Sequence, residues 1–219
     1  MSIEIYCLNC LKSIREQSSL KEIFTVDDLL CAKCRYMLKY QPKMIKIDNL
    51  KIQGLYRYEG LVRKLLIQYK EYNDEALAYV FLYPYIKELK GKYKGKYIVK
   101  VPSSDLSYQK RGFDHVYELF SLLDLPFLDV LYNDSEKQQK QLDHNERKKI
   151  VEHIHLKDGH INMQDKDILL VDDILTTGAS MKASYDLLRG NCKSITGLVI
   201  AYNEIYLSKI EKLFYELSH

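Results

Sequence analysis

Two adjacent carboxylates, Asp172 and Asp173, stand between the aliphatic run Ile168–Val171 and the small polar residues 176–180. The run is short and contains β-branched residues, which predicts a buried strand of a parallel sheet. A helical pattern of apolar residues follows over Ala179–Arg189, so the predicted order is strand, loop, helix. The loop therefore lies at the carboxyl end of a strand, where open α/β sheets bind ligands.

The composition of this loop predicts the class of ligand. Backbone N–H groups at a helix N-terminus, hydroxyl groups and a glycine together bind an anion such as phosphate. The residues concerned are Thr176, Thr177, Gly178, Ala179 and Ser180. The two carboxylates would repel a phosphate, and they suit sugar hydroxyls or a divalent metal ion. Phosphate beside a diol describes a ribose 5-phosphate. The alternative is a solvated acidic turn followed by a threonine helix cap.

Four cysteines near the N-terminus form a second motif. Cys7 and Cys10 make one Cys-x-x-Cys pair, Cys31 and Cys34 make another, and twenty residues separate the pairs. In a cytosolic chain this spacing predicts a structural zinc site, because four thiolates complete a tetrahedron and leave no open position. Two disulfides or a thioredoxin-like redox pair are the alternatives. Cys192 lies outside both pairs and is predicted to be a core thiol.

A second strand and loop are predicted around residue 100. The run Tyr97–Val101 is apolar, and Pro102-Ser103 opens a polar loop that reaches Lys110 and Arg111. The Arg111 guanidinium suits bidentate binding of phosphate, and with Lys110 it makes a candidate diphosphate site that includes Ser103. The alternative is an ordinary basic surface.

A long polar stretch covers residues 132–149. A segment of this length inside an α/β domain is typical of a functional lid, and a solvated linker is the alternative. Its Gln141, Arg147 and Lys148 could fold over a polyanion.

These motifs need elements that position them. Parallel strands are predicted at Tyr97–Val101, Phe127–Leu131, Ile168–Val171 and Ser194–Ile200, with helices at His115–Leu123 and Ala179–Arg189. The predicted fold class is α/β, a doubly wound parallel sheet preceded by a small four-cysteine zinc-binding domain. We place the zinc module at residues 1–45 and the larger domain at residues 46–219.

Composition is that of an ordinary globular protein. Of 219 residues, 47% are hydrophobic and 29% charged, and the net charge of +3 is too small to indicate nucleic-acid binding alone. Tyrosines alternate with basic residues in several places, as in Tyr56-Arg57-Tyr58, a pattern that suits single-stranded nucleic acid or simply a Tyr- and Lys-rich surface. The sequence shows neither a membrane span nor a signal peptide, so a cytoplasmic protein is expected.

The motifs together resemble the ComF family, whose members have a type I phosphoribosyltransferase fold behind a four-cysteine module. The resemblance covers nearly the whole chain and departs from the usual family pattern at Asp114-His115 and at Lys149. The segments that carry it, in order, are the two cysteine pairs, Tyr56–Gly60, Lys70, Val101–Ser103, Arg111–Phe113, Gln141-Leu142, Arg147, and Val171–Gly178.

The resemblance implies a function and a set of ligands. The family's phosphoribosyl pyrophosphate (PRPP) site would use Asp172 and Asp173 for the ribose hydroxyls and the Thr176–Ser180 loop for the 5-phosphate. Arg111 and Lys110 would hold the diphosphate with Mg²⁺, which makes Asp172, Asp173 and Arg111 the expected catalytic residues.

The implied role is the handling of incoming single-stranded DNA in natural transformation. The expected partners are single-stranded DNA, the competence helicase ComFA and the recombination mediator DprA. The alternative is an active phosphoribosyltransferase whose acceptor the sequence does not identify.

Overall fold

The structure is a computed structural model, and it describes residues 4–14, 29–103, 112–134, 153–157 and 162–204. The helices and strands, numbered in chain order, are α1 (Ala32–Met37), β1 (Lys43–Ile47), β2 (Leu50–Arg57), α2 (Gly60–Glu71), α3 (Ala78–Leu82), α4 (Ile86–Tyr93), β3 (Tyr97–Lys100), α5 (His115–Ser121), β4 (Leu131–Asn133), β5 (Ile154–Leu156), β6 (Asp167–Leu175), α6 (Ala179–Leu188) and β7 (Ser194–Tyr202).

The central sheet has five strands in the order β1-β2-β7-β6-β3. The pairs β2–β7, β7–β6 and β6–β3 are parallel, and β1 pairs with β2 as an antiparallel hairpin. Strands β6 and β7 lie in the interior of the sheet and consist largely of buried aliphatic residues, as expected for parallel strands covered on both faces. The predicted α/β class is confirmed.

Side chains that alternate along β6 divide the core into two layers. Leu169 and Val171 pack on one face against α2, α3 and α5. Ile168 and Leu170 pack on the other face against α6 and the β4–β5 hairpin. This alternation follows from the two-residue period of a strand. Because helices cover both faces, the sheet is doubly wound.

One predicted strand is wrong. Residues 127–131 do not form a strand of the central sheet. Phe127 makes an isolated parallel bridge to Ile98, and the next strand, β4, pairs with β5 in a separate two-stranded sheet. Phe127 and Leu128 are half-buried and Asp129 is exposed, and the pairing with β3 stops after the one bridge, in which the Leu128 N–H donates to the Ile98 carbonyl.

The N-terminal segment packs directly on the helices of the larger part of the chain. The Arg35 side chain donates a hydrogen bond of 2.8 Å to the carbonyl oxygen of Val80 in α3, and Lys64 of α2 donates one of 2.9 Å to Asn9. Cys7, Cys31 and Cys34 belong to the same buried cluster as the α2 and α3 side chains. The predicted division between residues 45 and 46 stays a prediction.

No helix in the described part of the chain combines the length and the apolar character needed to cross a membrane.

Candidate functional site

The acid pair lies inside β6 rather than after it. The sequence predicted that the strand ends at Val171, but β6 continues to Leu175 because its pairing with β7 persists as far as Leu175 and Tyr202. Asp172 is half-buried and Asp173 is only 4% exposed. The two carboxylates are therefore held by an interior strand close to its carboxyl end, which is the edge at which such sheets bind ligands.

Asp173 has two cationic or hydrogen-bonding neighbours from other elements. Lys70 Nζ, near the end of α2, lies 2.6 Å from Asp173 Oδ2, and His115 Nε2, at the start of α5, lies 3.0 Å from the same oxygen. The Asp173 backbone N–H donates to Asp172 Oδ1 at 2.9 Å, so the second aspartate also orients the first.

The two carboxyl groups have opposite electrostatic environments. Burial and the neighbouring charge of Asp173 raise the pKa of Asp172 well above its ordinary value. Burial acts in the same direction on Asp173, but the charge of Lys70 and the hydrogen bond from His115 outweigh it and hold the pKa of Asp173 below its usual range. Asp173 is thus anionic over the whole physiological range, while Asp172 is the carboxyl that resists ionisation.

The loop after β6 connects the acid pair to a helix N-terminus. Thr176 and Thr177 are exposed, and α6 begins at Ala179. The Ala179 N–H donates to Thr177 Oγ1 at a long 3.4 Å, so the hydroxyl only weakly satisfies one of the first amide groups of the helix. Because the first amides of a helix have no intrahelical acceptor, they form, with the exposed Thr176 and Thr177, a surface suited to a phosphate.

Gly178 determines how closely the chain approaches β1 at this loop. Its φ of 75° lies in the left-handed region. The backbone conformation therefore favours glycine, and a Cβ added there would lie 2.3 Å from Ile47 Cδ1, so that the end methyl group of Ile47 would have to move. The loop is therefore pressed against the β1–β2 hairpin, which limits the positions its amides can take.

A cleft of about 170 Å³ opens beside the end of β3. Ser103, which is exposed, lines it together with Lys100, Asp114 and His115. Lys100 forms an ion pair with Asp114, and Asp114 also caps α5 by accepting a 3.0 Å hydrogen bond from the Tyr117 N–H. Because His115 contacts both this cleft and Asp173, the cleft adjoins the acid pair. Lys110 and Arg111, predicted to bind diphosphate, lie outside the described residues.

The four predicted metal ligands come together. The Sγ atoms of Cys7, Cys10, Cys31 and Cys34 all lie within 4.8 Å of one another, and the Cys10 and Cys31 sulfurs are 3.7 Å apart. Four sulfurs bound to one zinc ion at about 2.3 Å would be separated by about 3.8 Å, so the observed spacing fits a tetrahedral site. None of the four cysteines forms a disulfide bond in the structure.

The surroundings of the cysteines also fit a metal ion. Burial raises the pKa of the Cys34 thiol to about 12 and also raises that of Cys31. Burial opposes ionisation of Cys7 as well, but backbone N–H groups of Cys31, Cys10 and Asn9 lower its pKa to about 7. Ionised sulfurs this close would repel one another, and a bound cation is what would let all four exist as thiolates.

Lys70 and His115 contact the acid pair, but the sequence did not predict that either residue belongs to this site. The resemblance to the ComF family included Lys70, and His115 began a predicted helix at a departure from the family pattern, but neither residue was given a chemical role. A lone lysine and a lone histidine at helix ends carry no spacing signal toward an aspartate far along the chain. Only the tertiary structure brings α2 and α5 to the same point of β6.

Comparison with known families identifies the class of protein. A model of the phosphoribosyl transferase domain family matches residues 106–219, just over half of the chain. The chain therefore belongs to the phosphoribosyl transferase domain family.

A curated relative carries the comparison to the N-terminal segment. The competence protein ComFC of Streptococcus pneumoniae (strain ATCC BAA-255 / R6) is 28% identical over 206 residues, which cover 83% of this chain and 92% of the relative. Together with the four clustered cysteines, this similarity confirms the predicted ComF-family chain with a phosphoribosyltransferase fold.

Solved structures of phosphoribosyltransferases also align with the chain. A hypoxanthine phosphoribosyltransferase from Staphylococcus aureus is 19% identical, covers 60% of this chain and 66% of its own, and has a TM-score of 0.40. An adenine phosphoribosyltransferase from Saccharomyces cerevisiae is 15% identical, covers 82% of this chain and 94% of its own, and has a TM-score of 0.39. An orotate phosphoribosyltransferase from Aeropyrum pernix is 17% identical, covers 83% of this chain and 85% of its own, and has a TM-score of 0.38.

Proposed function

We propose that this chain is a PRPP-binding protein of natural transformation that handles incoming single-stranded DNA in the cytoplasm. The observation that carries the PRPP part is the contiguity of the acid pair in β6 with the Thr176–Ser180 loop at the N-terminus of α6. An anion cradle adjacent to carboxylate acceptors matches a phosphate next to a sugar diol. Membership of the phosphoribosyl transferase domain family supports the same ligand.

The proposed arrangement assigns each part of PRPP to a part of the site. The 5-phosphate accepts hydrogen bonds from the loop amides and the Thr176 and Thr177 hydroxyls. The ribose hydroxyls donate to the acid pair. The diphosphate extends toward the polar loop that begins at Ser103 and includes Lys110 and Arg111. Magnesium is a hard cation that takes oxygen ligands, so it would enter with the diphosphate and ribose oxygens.

The metal of the cysteine cluster is proposed to be zinc. Four thiolates with no open position suit a structural zinc ion, and the positive charge of the ion would offset the burial that otherwise keeps Cys34 protonated. Its role would be to hold the N-terminal segment against α2 and α3 rather than to take part in a reaction.

Calorimetric titration of the zinc-loaded protein with PRPP and Mg²⁺ tests the ligand. We expect binding by the wild-type protein and no measurable binding by Asp172→Ala. A matched control is Asp165→Ala, which removes an exposed carboxylate in the turn before β6. Failure of the wild-type protein to bind, or equal binding by Asp172→Ala, would refute the assignment of this site.

The DNA part of the proposal rests on similarity to a competence protein along most of both chains. Fluorescence anisotropy should show tighter binding of single-stranded than of duplex DNA, with affinity falling as salt rises. Equal, weak binding of any polyanion would count against it. The partners we propose are the helicase ComFA and, in addition, DprA; pull-down with each purified protein would test them.

The second candidate function is turnover as a phosphoribosyltransferase, which the family match favours. In that case the bond between C1 of PRPP and the diphosphate oxygen would break, an acceptor would form a bond to C1 and take the 5-phosphoribosyl group, and diphosphate would leave. Diphosphate release measured across a panel of purine, pyrimidine and amine acceptors distinguishes turnover from binding alone.

A further inference from the structure

We propose that Asn9 and Lys64 are positioning residues of the cysteine site: Lys64 orients the Asn9 side-chain amide, and the amide donates a hydrogen bond to the Cys34 sulfur. Neither residue would touch the metal ion, and Lys64 belongs to α2, outside the cysteine module. This inference rests on the proposed zinc site and specifies which other residues set its affinity.

The first observation is a hydrogen bond that joins the two cysteine pairs. Asn9 lies between the cysteines of the first pair, and its Nδ2 donates to Cys34 Sγ of the second pair at 3.1 Å, across 25 residues of sequence. The backbone at this point is fixed on both sides. The Leu8 N–H donates to the Leu29 carbonyl and the Leu11 N–H to the Cys7 carbonyl, each at 2.9 Å. The amide therefore projects from a closed turn.

The second observation is that Lys64 selects one orientation of the amide. Lys64 Nζ donates to Asn9 Oδ1 at 2.9 Å. An ammonium group has donors and no acceptor, so the amide oxygen must face Lys64, and the amide NH₂ is then left for the sulfur. The reversed amide would place NH₂ against the ammonium and a carbonyl oxygen against the sulfur. Both contacts would be repulsive, so the lysine makes Asn9 a donor to Cys34.

The third observation is the charge that this sulfur would carry. Four thiolates around one divalent ion leave two negative charges in excess. Cys34 is 3% exposed, so water has little access to it, and a donor from the protein must take the place of water. A hydrogen bond to an ionised acceptor is stronger than a neutral one, and the nearby ammonium polarises the amide in the favourable direction. The pair thus stabilises the metal-bound form of Cys34.

Zinc affinity measured by competition with a chromophoric chelator tests both residues in the full chain. Groups that hydrogen-bond to metal ligands change affinity by about 10–100-fold, so Asn9→Ala should bind zinc more weakly by about that factor. Asn9→Asp should bind more weakly still, because it keeps an acceptor for Lys64 but turns a carboxylate toward the sulfur. Lys64→Met should show a smaller loss. The matched control is Arg63→Met, which removes an exposed cation from the same helix and should leave the affinity unchanged.

A double variant tests the order of the two residues. If Lys64 acts through Asn9, then Asn9→Ala combined with Lys64→Met should bind zinc as weakly as Asn9→Ala alone. Losses that multiply would show that Lys64 acts independently of the amide, and they would overturn the proposed chain of contacts. Equal losses in Lys64→Met and Arg63→Met would overturn it too, because a general effect of charge would then explain both.

Cobalt in place of zinc gives a spectroscopic readout on the sulfurs themselves. Loss of an N–H donor raises the energy of a thiolate lone pair, so the sulfur-to-cobalt charge-transfer band should move to longer wavelength in Asn9→Ala and stay in place in Arg63→Met. A merely structural role for Asn9 would leave the band of the loaded protein unmoved, and that result would overturn the inference. If the wild-type protein binds neither metal, the proposed zinc site fails and this inference with it. Metal binding by the wild type with unchanged variants refutes this inference alone.

Discussion

Substitution of Gly178 by alanine probes the fit between the predicted phosphate loop and the β1–β2 hairpin. Gly178 has a φ of 75°, and an added Cβ would lie 2.3 Å from Ile47 Cδ1. The next atoms are Ile47 Cγ1 at 3.6 Å and Leu175 Cδ1 at 3.7 Å, which are ordinary contacts. A single methyl group of Ile47 therefore accounts for the whole clash.

The magnitude follows from two separable costs. Left-handed backbone costs an alanine about 1–2 kcal/mol. Displacing a buried methyl group adds about 1–3 kcal/mol of overpacking, so Gly178→Ala should lose about 2–5 kcal/mol. Ile47→Val deletes the clashing atom and should cost about 0.5–1.5 kcal/mol alone. The double variant should then lose about 1.5–3.5 kcal/mol, because the clash is gone and only the backbone cost and the lost methylene remain.

Urea denaturation followed by circular dichroism would measure all three variants. Gly95→Ala is a matched control, since Gly95 has a φ of 80° but no atom within 4 Å of an added Cβ. It should show the backbone cost without the clash, about 1–2 kcal/mol. If the loss of the double variant equals the sum of the losses of Gly178→Ala and Ile47→Val within about 0.5 kcal/mol, the clash is refuted, and with it the close packing of the loop against β1.

Three further predictions concern the two sites. Cys34→Ser should reduce bound zinc, measured by mass spectrometry, well below the roughly one ion per chain expected of a closed four-sulfur site, while Cys192→Ser should retain it. Asp172→Asn should raise the free energy of unfolding at pH 7. The raised pKa of Asp172 penalises the folded state above the unfolded pKa of about 3.9, so this gain should vanish in titrations below about pH 4. Tyr69→Phe should lose about 0.5–1.5 kcal/mol in the same urea assay because it removes the buried hydrogen bond from the Tyr69 hydroxyl to the His115 carbonyl. Tyr72→Phe, at a side chain that is 75% exposed, should change little.

The strongly patterned parts of the chain could be predicted from the sequence. Aliphatic runs bounded by turn residues identified β3, β6 and β7, and the helical pattern after Gly178 identified α6 to within one residue of its observed end. The cysteine cluster was predictable because its spacing is itself a chemical signal. The order of acid pair, loop and helix was equally predictable, since all three lie within one short stretch of the sequence.

What the sequence could not reveal depends on pairing between distant segments. The end of β6 was placed too early because aspartates at 172 and 173 resemble a turn, whereas the neighbouring β7 provides ladder partners as far as Leu175. Residues 127–131 have strand-like composition, but of these five residues Phe127 alone forms a bridge to β3. The contacts of Lys70 and His115 with Asp173 come from helix packing, which no local pattern encodes.

Helix α2 contacts both parts of the protein that are proposed to bind ligands. Lys64 bonds to Asn9 in the cysteine module, and Lys70 bonds to Asp173, six positions further on and therefore about 9 Å along one rigid helix. Thermodynamic reciprocity applies to any two ligands that share such an element. Whatever factor zinc contributes to PRPP affinity, PRPP must contribute to zinc affinity. Zinc affinity, measured at equilibrium against a chelator, would then change when PRPP is added, although the cysteine sulfurs do not touch the sugar phosphate.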